Sequence, residues 1–252
     1  MGLFSKKEAA PATGESVPVA VPTMTNAAIA AVYYGTPQGG DLYDFVRVRS
    51  NLVLFGMLDV AGRHEENAGI VSAAQQTFRQ AGAQLFAEED VNEAEAMIEL
   101  SLRLNRSVME AANGVRSCPA FVGCYNETIG TLTYSNAGHT PALLRDQSGE
   151  VTRMPATGLP FGLFSHVTHD AVTAALPPGA ALALVSRGVT EGRCNDEESS
   201  EFGLERVEEI LKAANISSAE QLATTILAGV EHFMCVPPAL NDVTALVLLR
   251  EG

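Results

Sequence analysis

Three segments of the chain are almost wholly apolar: 52–58, 181–185 and 243–249. Runs that short, bounded by turn-forming residues, predict strands buried on both faces. Segments 27–34, 42–49, 120–125, 131–136, 142–145 and 172–176 predict further strands, separated by Gly, Pro, Asn and Asp. Elsewhere apolar residues recur every three to four positions, as at Ala96, Leu100, Leu104 and Val108. That spacing predicts helices over 65–81, 92–112, 205–214 and 219–233, and Asn113-Gly114 closes the second of them. Strands come in consecutive blocks and helices in pairs, without the strict alternation of a parallel α/β sheet. The fold class expected is therefore α+β, with antiparallel sheets packed face to face and helices outside. Residues 1–25 are rich in Ala, Pro, Thr and Ser without periodicity. They are expected to form a flexible tail ahead of one domain spanning 26–252.

Composition narrows the function classes. The 252 residues are 46% hydrophobic and 18% charged, enough to bury a sizeable core. Thirty acids against 16 bases give a net charge of −14. A surface so acidic argues against nucleic acid or an anionic membrane as partner. No run approaches the roughly 18 apolar residues of a membrane helix, and no apolar leader is visible at the N-terminus. Cys118, Cys124, Cys194 and Cys235 form no CxxC pair. They are read as reduced thiols of a cytoplasmic protein.

The candidate chemistry lies in acids at strand ends. Asp41 enters a strand after two glycines, Asp59 leaves one and is followed by Val60, and Asp242 opens the last. Carboxylates held there are partly desolvated and need a compensating cation. Carboxylate and carbonyl oxygens are the hard ligands that suit Mg²⁺ or Mn²⁺. Each Asp taken alone also reads as a strand or turn cap.

The order of motifs adds to that reading. Gly39-Gly40-Asp41, Asp59-Val-Ala-Gly62, Asn136-Ala-Gly-His139-Thr-Pro, Thr157-Gly-Leu-Pro-Phe-Gly162, Gly188-Val-Thr-Glu191, Glu201-Phe-Gly-Leu-Glu-Arg206 and Asp242-Val-Thr follow one another along the chain. This succession resembles the PPM-type protein serine/threonine phosphatases of the stage II sporulation protein E family, over about residues 26–250. The resemblance implies an αββα sandwich of two antiparallel sheets flanked by helices. It implies hydrolysis of phosphoserine or phosphothreonine on a partner-switching signalling protein by a water bridging two Mn²⁺ or Mg²⁺ ions, which lower its pKa and clamp the phosphoryl oxygens. On the resemblance, Asp41 and Asp59 are the catalytic metal ligands, and Val60 offers its backbone carbonyl.

The same resemblance locates departures. The aspartate expected before Gly188-Val-Thr-Glu191 is Arg187, and the first acid of the last motif is Asn241. Both positions serve one metal in the family. A Gly-Lys-Gly expected after the bridging aspartate is replaced by Arg63-His-Glu-Glu-Asn67. Exchanging Asp for Arg and Asp for Asn moves a shell of about −4 to about −1, and a guanidinium within roughly 4–6 Å repels a divalent ion. One ion rather than two is expected, or none. Arg187 is expected to turn to Asp59 and Asp41 as a salt bridge in place of the metal. Alternatively it sits elsewhere and Asp242 becomes a ligand by a one-residue shift. Three functions follow: a phosphatase of weak or altered activity, a pseudophosphatase that binds a phosphorylated or regulatory protein, and a plain scaffold, the first two ahead of the third. Whether the chain is an enzyme stays open at this point.

Other candidates read more blandly. His139 is expected as a structural turn histidine, and His64, Glu65 and Glu66 as a solvated helix start. His166 and His169 read as surface residues, and the acids of 196–201 as a solvated loop.

Overall fold

The computed structural model describes residues 20–35, 40–60, 64–194, 201–234 and 241–252. The tail expectation for residues 1–19, the motif residues Gly39 and Ala61-Gly62-Arg63, residues 195–200 of the acidic loop and Cys235 lie outside these, as do the side chains of His64 and Glu65.

Among the described residues, ten strands form two five-stranded sheets. In the first, β1 (Ala27–Tyr34), β10 (Val243–Arg250), β9 (Ala181–Val185), β6 (Ala142–Arg145) and β7 (Val151–Met154) lie side by side in that order. In the second, the order is β2 (Asp41–Arg49), β3 (Leu52–Asp59), β4 (Ala120–Asn126), β5 (Thr131–Ala137) and β8 (Val172–Ala175). Every neighbouring pair of strands is antiparallel. Helices α1 (His64–Leu85) and α2 (Glu93–Ala112) cover the second sheet. The one-turn α3 (Arg187–Thr190) precedes α4 (Gly203–Ala213) and α5 (Ala219–Phe233), which cover the first. The αββα sandwich expected from the sequence is the observed architecture.

The apolar runs explain this layering. A strand with apolar residues on both faces has two layers to meet. In β3, Leu52, Leu54 and Leu58 pack under α1 and α2, while Phe55 and Met57 face the other sheet. In β9, Ala181, Ala183 and Val185 pack under α4 and α5, while Leu182 and Leu184 turn inward. The alternation is the ordinary two-residue period of a strand. Three stacked cores result: one under each helix pair and one between the sheets. Helix α2 is capped at both ends, by the Asn92 side chain accepting from the Ala94 and Glu95 amides and by Asn113 in the left-handed conformation.

Two smaller expectations need correction. Cys118 and Cys124 are buried free thiols, and burial pushes Cys118 up to about 12, an inert thiol. Cys194, in contrast, is disulfide-bonded rather than reduced. His169 is buried, 1% exposed, with its ring edge-on to Phe161. The sequence placed it on the surface because a loop histidine carries no periodicity to reveal packing. Among the described residues no helix is long and apolar enough to cross a membrane.

Candidate functional site

The two sheets meet at one edge where four strand ends converge. Asp41 begins β2 and Asp59 ends β3, and the two are direct cross-strand partners. From the other sheet, Asp242 leads into β10, and Ser186 and Arg187 leave β9. The Asp41 amide donates to Asp242 Oδ2 at 3.0 Å, and Thr244 Oγ1 donates to Asp41 Oδ2 at 2.5 Å. These bonds stitch one sheet to the other. Ser186 fixes the turn: its amide donates to the Thr244 carbonyl and its hydroxyl to the Asp242 carbonyl. Gly188 is required by close packing, since a Cβ there would lie 2.0 Å from the Asp242 carbonyl oxygen. The glycine of Gly-Val-Thr-Glu thus lets α3 press its backbone onto the entry to β10.

Three carboxylates share this edge, and the electrostatics record it. Asp41 is held well above the usual carboxylate range, first by burial and then by the charges of Asp59 and Asp242. Hydrogen bonds from Thr244 and Ser186 offset part of that effect. Tyr33, near the end of β1, donates to Asp242, and its phenol is pushed upward by burial and by the Asp242 and Asp41 charges. Asp242 therefore sits in a filled polar network rather than open to a ligand.

Arg187 is the cation of the site. Its Nη2 lies 3.5 Å from Asp59 Oδ1, and its Nε lies 3.8 Å from Glu191 Oε2 one turn along. The side chain is 38% exposed and that of Asp59 10%. Asn241 Nδ2 donates to the same Glu191 oxygen at 3.2 Å. Arg187 and Asn241 thus converge on one carboxylate. Asn241 reaches it by a hydrogen bond, whereas Arg187 Nε stands at ion-pair distance and makes no hydrogen bond among the described residues.

The Val60 carbonyl, the backbone oxygen expected to serve a metal, has a protein partner. It accepts from Asn67 Nδ2 of α1 at 2.9 Å, and both residues are buried. His139 is also buried, 4% exposed. Its amide donates to Asn136 Oδ1, its Nδ1 pairs with the Thr140 carbonyl, and its Nε2 is buried without a partner among the described residues. Burial holds the imidazole below its ordinary value, against the opposing influence of the Thr140 carbonyl and Asp59. The bridge between Ala120 and Gly138 sets this turn beside the end of β3. His139 is thus closer to the candidate site than a plain turn histidine.

Set against the demands of a two-ion centre, these residues fit poorly. Such a centre needs several free oxygens converging on each ion. Here Asp59 faces a guanidinium, Asp41 and Asp242 bond to each other's strands, and the Val60 oxygen holds an amide. Among the described residues no three His, Cys, Asp or Glu side chains form a group that could hold a metal ion. Sequence reasoning found Asp41, Asp59, Asp242, Arg187 and Asn241. It missed Tyr33 and Ser186, which act through the fold, and named Asn67 only as the end of the stretch after Asp59, without a role.

Comparison with known proteins places this geometry in a lineage. The chain is 28% identical over 130 residues to the protein IcfG of Synechocystis sp., covering 52% of this chain and 20% of that protein. It is 25% identical over 152 residues to the phosphoserine phosphatase RsbP of Bacillus subtilis, covering 60% of this chain and 36% of that one. The chain thus spans a fifth to about a third of these relatives. A crystal structure of RsbU and RsbW domains from Mycobacterium tuberculosis superposes with a TM-score of 0.72 at 23% identity, over 92% of this chain and 62% of the other. RsbX in complex with magnesium superposes with a TM-score of 0.63 at 16% identity, over 93% of this chain and all of the other. The family model described as stage II sporulation protein E matches residues 49–251. This chain, with its PPM-type phosphatase fold, belongs to the stage II sporulation protein E family.

Proposed function

We propose that this domain recognises a phosphorylated or regulatory protein of a partner-switching circuit and signals by holding it, with the family's metal-dependent hydrolysis lost or much reduced. The observation that carries this reading is Arg187 Nη2 at 3.5 Å from Asp59 Oδ1. When bound, two divalent ions supply an activated water and clamp the phosphoryl oxygens. Arg187 neutralises Asp59 without supplying either. Its charge is permanent, so it keeps a divalent ion from sharing that carboxylate.

What the residues do instead is compatible with anion recognition. Arg187 is more than a third exposed, and a guanidinium fork matches phosphate geometry. Glu191, itself held by Asn241, lies on one side of the guanidinium and Asp59 on the other. The relatives support a signalling partner: RsbP is a phosphoserine phosphatase, and the Mycobacterium tuberculosis structure joins RsbU and RsbW domains. Mn²⁺ or Mg²⁺ remains the ion class to test, as RsbX holds magnesium on this fold.

A second reading has one observation behind it. Asp41 is crowded by Asp59 and Asp242, and a single cation on Asp41 and Asp59 would relieve that repulsion. Residual hydrolysis with one ion is its consequence. Phosphoester hydrolysis with added Mn²⁺ separates the two, comparing wild type with Asp59→Ala. Equal background rates are expected. A Mn²⁺-dependent rate in the wild type that Asp59→Ala abolishes would overturn the binding reading in favour of the second.

A further inference from the structure

We infer that Asn67 is a second, independent block to cation binding, closing the half of the site whose ligands the sequence retains. The inference rests on the reading that Arg187 closes the other half.

The Val60 carbonyl is the backbone oxygen that would complete a site with Asp41 and Asp59. Among the described residues, Asn67 and Gly40 crowd it. Asn67, in the first turns of α1, donates to it from Nδ2 at 2.9 Å. On another side lies the backbone of Gly40, where a Cβ would stand 2.5 Å from the Val60 oxygen and 2.6 Å from Asn67 Nδ2. Gly40 takes part again through its own carbonyl, which accepts from the Val60 amide at 3.2 Å. Val60 and Asn67 are 2% and 1% exposed. A hard divalent ion must approach a carbonyl to about 2.0–2.6 Å and keep several other oxygens or waters around it. An ion reaching that distance has to compete with the Asn67 amide for a carbonyl whose residue is almost wholly buried.

The orientation of the Asn67 amide follows from this contact. Turned over, its Oδ1 would face the Val60 oxygen, acceptor against acceptor. As placed, Oδ1 is buried with no hydrogen-bond partner among the described residues. A buried unpaired acceptor is costly, so the fold tolerates an unsatisfied atom to keep the donor on Val60. Asn67 also falls in the stretch Arg63-His-Glu-Glu-Asn67 that replaces the family's Gly-Lys-Gly pattern. A departure in sequence and an occupied ligand atom therefore coincide. Asn67 acts through Val60 and is a specificity-determining residue rather than a catalytic one.

Calorimetric titration with Mn²⁺ tests this, in the wild type, Asn67→Ala, Arg187→Asp/Asn241→Asp, and that pair combined with Asn67→Ala. Asn67→Leu in place of Asn67→Ala keeps the volume while removing the donor, so a packing defect in one variant does not decide the result. Thermal melts confirm that each variant is folded. Expected are no binding in the wild type or Asn67→Ala, weak binding in the pair, and binding at least tenfold tighter once either Asn67 substitution is added. Affinity in the triple variants equal to or weaker than in the pair overturns the Asn67 inference and leaves the Arg187 reading standing. Binding by Asn67→Ala alone supports Asn67 and sinks the Arg187 reading. No binding in any folded variant overturns both.

Discussion

Replacing Arg187 by Ala removes the only cation within ion-pair distance of Asp59 among the described residues. At 3.5 Å the Coulomb attraction is about 5 kcal/mol at an effective dielectric near 20 and about 1 kcal/mol in bulk water. Arg187 is 38% exposed, which moves the value toward the lower figure. The carboxylate left behind is nine-tenths buried, which moves it up. A loss of about 1–3 kcal/mol follows, or roughly 3–8 °C in Tm for a domain of this size. The same substitution takes away the charge that repels a divalent ion while leaving Asp41, Asp59 and Asp242 crowded together. With the Asn67 amide also removed from the Val60 oxygen, millimolar Mn²⁺ should therefore raise the Tm of Arg187→Ala/Asn67→Ala and leave the wild type unmoved. Differential scanning fluorimetry with and without Mn²⁺, and with EDTA as control, reads both effects. An unchanged Tm in Arg187→Ala, or an equal Mn²⁺ shift in the double variant and the wild type, would refute the substitution of arginine for metal.

Asp41→Asn should stabilise the protein at neutral pH. The folded-state carboxyl is raised above its ordinary range, so its contribution favours folding at low pH and is lost as pH rises through the elevated value. Wild-type Tm should fall across that window and Asp41→Asn should flatten the slope; a Tm below wild type near pH 7.5 would count against this. Arg79→Leu should cost on the order of 2–4 kcal/mol, because it strands Asp44, 3% exposed and paired to Arg79 at 2.6 and 2.8 Å. Urea unfolding measures it, and a loss under about 1 kcal/mol would show that Asp44 finds water or another donor.

Much of the fold was legible because burial on two faces leaves a pattern that nothing else imitates. The apolar runs that became β3, β9 and β10 each feed two cores, so neither face carries polar residues to blur the signal. Strand β7 was not legible. Thr152 and Arg153 are exposed on a sheet edge, and four such residues carry no periodicity. The turn α3 was read as a motif rather than as a helix, since four residues are too few to show a repeat. At the site, strand-end acids were visible because a charged residue terminating an apolar run is conspicuous. Asn67 was not, because its contact with Val60 depends on α1 folding back over the strand end. Tyr33 reaches Asp242 only because β1 pairs with β10, a neighbourhood that sequence separation conceals.

On the proposed reading, the Arg187 guanidinium beside Asp59 stands where the family's chemistry needs a metal. Crystals soaked in Mn²⁺ and measured at the manganese absorption edge test it directly. The expected map shows Arg187 against Asp59 and no anomalous peak between Asp41 and Asp59. Two anomalous peaks there, with Arg187 turned to solvent, would contradict the account.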